Sequence, residues 1–142
     1  MANYVGFTRS NYFSVTDEEK FRQLIADSYC DGDNIEIFER NIKGSVKFAF
    51  GCYGSIYGVR TLPDDDSDAD NYDVFVEALQ SILAGGDAII INEVGCEDLR
   101  YIIGHSSIIT KSDAQFISLW ERAVAKARIM LGNPGYSTKM DF

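Results

Sequence analysis

The chain has 142 residues, a hydrophobic fraction of 46% with 13% aromatics, and a formal net charge of −9. That apolar content excludes an intrinsically disordered segment and is enough to fill a core, so a single domain over residues 1–142 is expected. The charge excludes a direct grip on nucleic acid, because neutralising phosphates takes clustered Lys and Arg, and leaves a basic protein surface, a cation or plain solubility as its uses.

In chain order, Asn3 to Val15 is aromatic-rich and broken by Gly6 and Ser10-Asn11, which predicts one bent strand or two short ones. Thr16-Asp17-Glu18-Glu19 reads as a capping box, followed by Phe21, Leu24, Ile25 and Tyr29 at helical spacing and a stop at Asp31-Gly32-Asp33. Ile35 and Ile37, then Val46, Phe48 and Phe50, alternate with other residues around an Asn41 to Gly44 turn, the pattern of a hairpin. Gly51 to Gly58 holds three glycines among aromatics. Without GKS, GKT or a dinucleotide fingerprint it reads as a bulge or close sheet crossing rather than a phosphate loop. Phe75, Ala78, Leu79, Ile82 and Leu83 predict a second helix, capped by Asp70 or Asn71 and ended by Gly85-Gly86. Ala88 to Ile91 reads as a central strand covered on both faces, and Leu99 to Ile103 and Ser107 to Thr110 as two more strands of a meander. The last helix is predicted to start at a Ser112 to Gln115 capping box, to bury a stripe including Phe116, Leu119, Trp120 and Leu131 in the core, and to stop at Gly132 and Pro134. Its outer face carries Arg122, Lys126 and Arg128.

The resulting order is strand, helix, three strands, helix, three strands, helix. It implies an α+β fold with a mainly antiparallel sheet of five to seven strands and three helices. No apolar run approaches the roughly 20 residues of a membrane span and Met1 to Ser10 has no leader-like apolar core, so a cytosolic protein is expected. Cys30, Cys52 and Cys96 show no CxxC spacing and read as reduced packing thiols.

The most unusual stretch runs from Thr61 to Leu99. It has no Lys or Arg and carries Asp64, Asp65, Asp66, Asp68, Asp70, Asp73, Glu77, Asp87, Glu93, Glu97 and Asp98, eleven of the chain's 22 carboxylates. A segment of this kind projects a strong negative field. Asp66, Asp68, Asp70 and Glu77 match positions one, three, five and twelve of an EF-hand loop. Asn71 stands in the glycine's place, however, and Leu62-Pro63 replaces the incoming helix, so no metal and no other cofactor is expected. His105, the only histidine, reads as a surface turn residue rather than a general base, since Ser106 and Ser107 beside it are sequence neighbours that point to alternate faces.

Three segments carry a resemblance: Arg9 to Glu19 (RSNYFSVTDEE), Phe50 to Tyr57 (FGCYGSIY) and Leu131 to Pro134 (LGNP). They are similar to small acidic proteins of phages and conjugative elements of Gram-positive gut bacteria, a group that includes counter-defence proteins disarming CRISPR nucleases or restriction enzymes. The resemblance implies a non-enzymatic inhibitor in the cytoplasm of a bacterial host. Together with the charge, it leads to an acidic surface that occupies the basic groove of a nucleic-acid enzyme. Asp64, Asp65, Asp66, Asp68, Asp70, Asp73, Glu77, Glu93, Glu97 and Asp98 supply the charge, and Tyr72 and Tyr53 the anchors. The alternatives are a signalling-nucleotide or other small-ligand binder, using Gly51 to Gly58 with Arg60 or Arg100 on the phosphates in a homo-oligomer, an enzyme built around His105, and an acidic immunity protein.

Overall fold

The computed structural model describes residues 3–60 and 71–140. Eight strands and three helices follow in the order β1 (Tyr4–Ser10), α1 (Glu18–Ala26), β2 (Ser28–Cys30), β3 (Glu36–Ile42), β4 (Ser45–Tyr53), β5 (Ile56–Val59), α2 (Asn71–Ile82), β6 (Ile89–Glu97), β7 (Tyr101–Ile109), β8 (Ala114–Ser118) and α3 (Leu119–Leu131). This is the expected α+β class. Six strands form one antiparallel sheet in the order β3-β4-β1-β6-β7-β8, and β2 pairs with β5 in a separate ribbon. The short β2 is additional to the sequence reading. It occupies residues assigned there to the end of the first helix, because Ser28 caps Leu24 C=O and Tyr29 and Cys30 then pair with β5.

The chain's first strand lies in the middle of the sheet, between β4 and β6. β3 and β4 close through Lys43 and Gly44, both at positive φ, with the Asn41 side chain accepting from Gly44 N–H, which makes the expected hairpin. One face of the sheet, the inner face, carries Phe48, Phe50, Ile89, Ile91 and Ile109 against Phe21 and Ile25 of α1 and Phe75, Leu79 and Ile82 of α2. Phe13, Phe21, Phe50 and Phe75 meet edge to face at centroid separations of 5.6 to 6.0 Å, the arrangement aromatic quadrupoles favour.

Several local expectations are corrected. Asp17 rather than Thr16 caps α1, accepting from Lys20 N–H at 3.1 Å, because the Thr16 hydroxyl and N–H are both spent on Ile82 C=O at the end of α2. Ala88 to Ile91 is covered on one face only: Ile89 and Ile91 are buried while Ile90 is exposed on the outer face. The residues read as two strands around Gly104-His105 form one strand, β7. The third meander strand is β8, whose residues the capping-box pattern places in the first turn of the last helix. Its pairing along β7, from His105↔Ser118 to Ile109↔Ala114, outweighs the local helical pattern. Ser118, not Ser112, caps α3.

The largest correction concerns α3. Its apolar stripe is not core, since no residue of the helix is buried and Leu119, Ile129, Met130 and Leu131 are each at least 60% exposed. The helix leaves the sheet edge after β8 and touches the outer face where Leu119 packs over Gly104. Among the described residues no helix is long and apolar enough to cross a membrane.

Candidate functional site

β4 stops at Tyr53, and Gly54, at φ +80°, turns the chain into β5. That conformation favours glycine, and a Cβ there would also strike the Asp31 side chain. The departure opens a crevice of about 810 Å³ beside β1, lined by Tyr4 to Phe7, by Asp31 and Gly32, by Tyr53 to Ser55 and Tyr57, and by Glu93 and Ile103.

Glu93 is its chemical centre. The residue is half-buried on the inner face of β6, and its Oε2 accepts from the Tyr4 hydroxyl at 2.6 Å and from the Ser55 hydroxyl at 2.7 Å. Among the described residues none donates to Oε1. Tyr4 reaches Glu93 because Gly6 and Gly95, which face each other across β1 and β6, leave room for its ring. A Cβ on either would collide with that ring. Burial, then the hydrogen bond to the Glu93 carboxylate and its charge, push the Tyr4 phenol well above the usual tyrosine range. Asp31 holds the opposite wall, accepting from Ser55 N–H at 2.9 Å and from the Tyr57 hydroxyl, a hydrogen bond that raises the Tyr57 pKa.

A second cavity of about 280 Å³ adjoins the first and shares Glu93, with Tyr72, His105, Ser107 and Phe116 around it. The Tyr72 and Ser107 hydroxyls lie 2.8 Å apart, and burial raises the Tyr72 pKa. His105 is not on a turn: it lies within β7 opposite Glu93, its ring 4.9 Å from Phe116. Ser106 points to the outer face, where its hydroxyl bonds Asn92, as strand alternation requires. Cys52 is pushed up to about 12 by burial and by neighbouring Cys30, so it stays a protonated thiol at neutral pH.

The sequence-predicted residues divide into groups. Tyr53, 71% exposed and edge-on to Phe7 at 5.6 Å, and Glu93 line the same crevice. Tyr72 lines the adjoining cavity instead of standing out as a surface anchor. Glu97, paired to Arg100 at 3.5 Å, and Asp98, at positive φ in the β6–β7 turn, sit at the same end of the sheet, since Glu97 faces Tyr4 across the β1–β6 ladder. Asp73 and Glu77 stand on the exposed side of α2, away from the crevice. Asp64, Asp65, Asp66, Asp68 and Asp70 lie outside the described residues, and with them most of the EF-hand match. Among the described residues no three His, Cys, Asp or Glu side chains gather as a metal site would need.

Tyr4 and Asp31 have no site role in the sequence, and Ser55 and Tyr57 enter there only within the Gly51 to Gly58 stretch of the small-ligand alternative. One signal was available: along β1 the even positions Tyr4, Gly6, Thr8 and Ser10 are polar or small while Val5 and Phe7 are apolar, so the inner side of this strand is not a core face throughout. Comparison with family models, with curated proteins and with solved structures finds no match for this chain.

Proposed function

We propose that this protein is a non-catalytic, counter-defence inhibitor of the anti-CRISPR kind. On this reading it acts in the bacterial cytoplasm and places carboxylates on the basic, nucleic-acid-binding surface of a defence nuclease. The observation that carries the reading is the crevice, where Asp31 and Glu93 face a cavity with the exposed Tyr53 at its rim and no lysine or arginine among the described residues that line it. Such a site suits an ammonium or guanidinium group, whose N–H donors would meet the half-buried Glu93 carboxylate and the exposed Asp31 carboxylate. An aromatic on a rigid strand end supplies contact area at little cost in entropy.

The same observation weighs against the nucleotide-binding alternative. Phosphate oxygens brought against Gly54 and Ser55 would meet Asp31 and Glu93, while neither Arg60 nor Arg100 lines the crevice.

The test is a panel of purified bacterial CRISPR and restriction nucleases, assayed for DNA cleavage and for binding to the protein at 50 and 300 mM salt. Inhibition of at least one, with affinity falling about tenfold or more over that range and again on Glu93→Gln with Asp31→Asn, is the expected result. Binding that ignores both salt and the double substitution would overturn the reading.

A further inference from the structure

β1 pairs with β6 along its whole length, from Tyr4↔Glu97 to Ser10↔Ile91, but with β4 only over Phe7↔Tyr53, Thr8↔Cys52 and Arg9↔Gly51. Alternate residues of a strand turn their N–H and C=O groups to opposite neighbours. Gly54 N–H donates to Gly6 C=O at 2.6 Å, so the even-numbered residues are those that address the β4 side. Tyr4 N–H, Tyr4 C=O and Gly6 N–H therefore point past the end of β4, where no strand of the described residues continues. The crevice runs along this edge.

An unpaired strand edge in the middle of a sheet is a template for another extended chain. We propose that the Tyr4–Gly6 edge of β1 is a strand-addition site for an extended segment of the partner, with a basic side chain of that segment entering the crevice toward Asp31 and Glu93. This rests on the basic-partner reading above and adds how the partner is held: main-chain bonds to β1 supply register, and the carboxylates select the side chain. A second copy of this chain is a poor occupant. Edge-to-edge pairing would bring two copies of Asp31 and Glu93 together, on a chain of net charge −9.

The probe is a set of hexapeptides of alternating threonine and alanine with one arginine moved through each position, offered to the full chain at low salt. At least one peptide should bind. N-methylation of its backbone nitrogens one at a time should weaken binding about tenfold or more at the single position that donates to Tyr4 C=O and little elsewhere, while hydrogen exchange at Gly6 and Tyr4, whose N–H groups would donate to peptide carbonyls, slows in the complex. Glu93→Gln with Asp31→Asn should weaken binding about tenfold and leave that single sensitive position unchanged.

Binding that falls with the double substitution but is insensitive to N-methylation at every position, with exchange at Gly6 and Tyr4 unchanged, overturns strand addition and leaves the acidic-crevice reading standing. No binding by any peptide, or slowed exchange at Gly6 and Tyr4 arising from self-association of the chain alone, also overturns strand addition. A sensitive position and slowed exchange that survive while binding ignores Asp31 and Glu93 overturn the acidic-crevice reading instead.

Discussion

The two faces of the sheet are covered in different ways. On the inner face α1 and α2 press phenylalanine, leucine and isoleucine into side chains of β4, β6 and β7 that are 0 to 3% exposed. On the outer face Val5, Phe7, Val94 and Ile102 remain at least half exposed, although α3 carries apolar residues of its own, among them Leu119, Ile129 and Leu131. Arg9 shields part of this face instead, its guanidinium 4.3 Å from the Phe38 ring centroid. The contrast teaches that amphipathicity fixes which side of a helix is apolar and says nothing of whether the same chain covers it.

Substitutions can break or sharpen that contrast. Phe75→Ala on the inner face removes a fully buried ring and should cost about 3–5 kcal/mol in urea unfolding; a loss under about 1 kcal/mol would show that the inner face is not the structural core. Gly95→Ala probes the inner face where it becomes the crevice. The new Cβ displaces the Tyr4 ring, and a cost of about 1–3 kcal/mol should come with loss of protection at the Tyr4 hydroxyl.

Tyr4→Phe is gentler, about 1 kcal/mol for the lost bond to Glu93. It carries a pH signature as well. The folded-state pKa of Tyr4 is raised, so its contribution is fully present below the ordinary tyrosine value of 10.0 and is lost as pH climbs from there toward the folded value. The wild type should therefore lose stability above about pH 10 more steeply than Tyr4→Phe; parallel alkaline profiles would remove the assigned cause. Smallest of all, Ile129→Ser on α3 should change stability by no more than about 0.5 kcal/mol. A larger cost would mean that the helix is covered after all.

How much of this was legible in the sequence follows from the same contrast. Elements that bury against neighbours close in the chain, such as the β3–β4 hairpin and α2, show their period directly. β8 was hidden because Ala114 to Ser118 fits both a helical and a strand period, and only the free edge of β7 decides between them. The crevice was hidden for a different reason. It is assembled from β1, the Asp31 turn, the Tyr53–Tyr57 connection and β6, and Glu93 was visible only as one acid among many. Its partners Tyr4 and Ser55 acquire meaning from Gly6 and Gly95, whose pairing is a matter of register between distant strands.

The central place of β1 also constrains the order of assembly. Synthesised before any of its neighbours, this strand has nothing to pair with until β4 has left the ribosome, and its second edge stays vacant until β6 follows. The nascent polypeptide must therefore keep Val5 and Phe7 from foreign strands while half of the chain is still being made. The final sheet closes around its oldest segment and not outward from it.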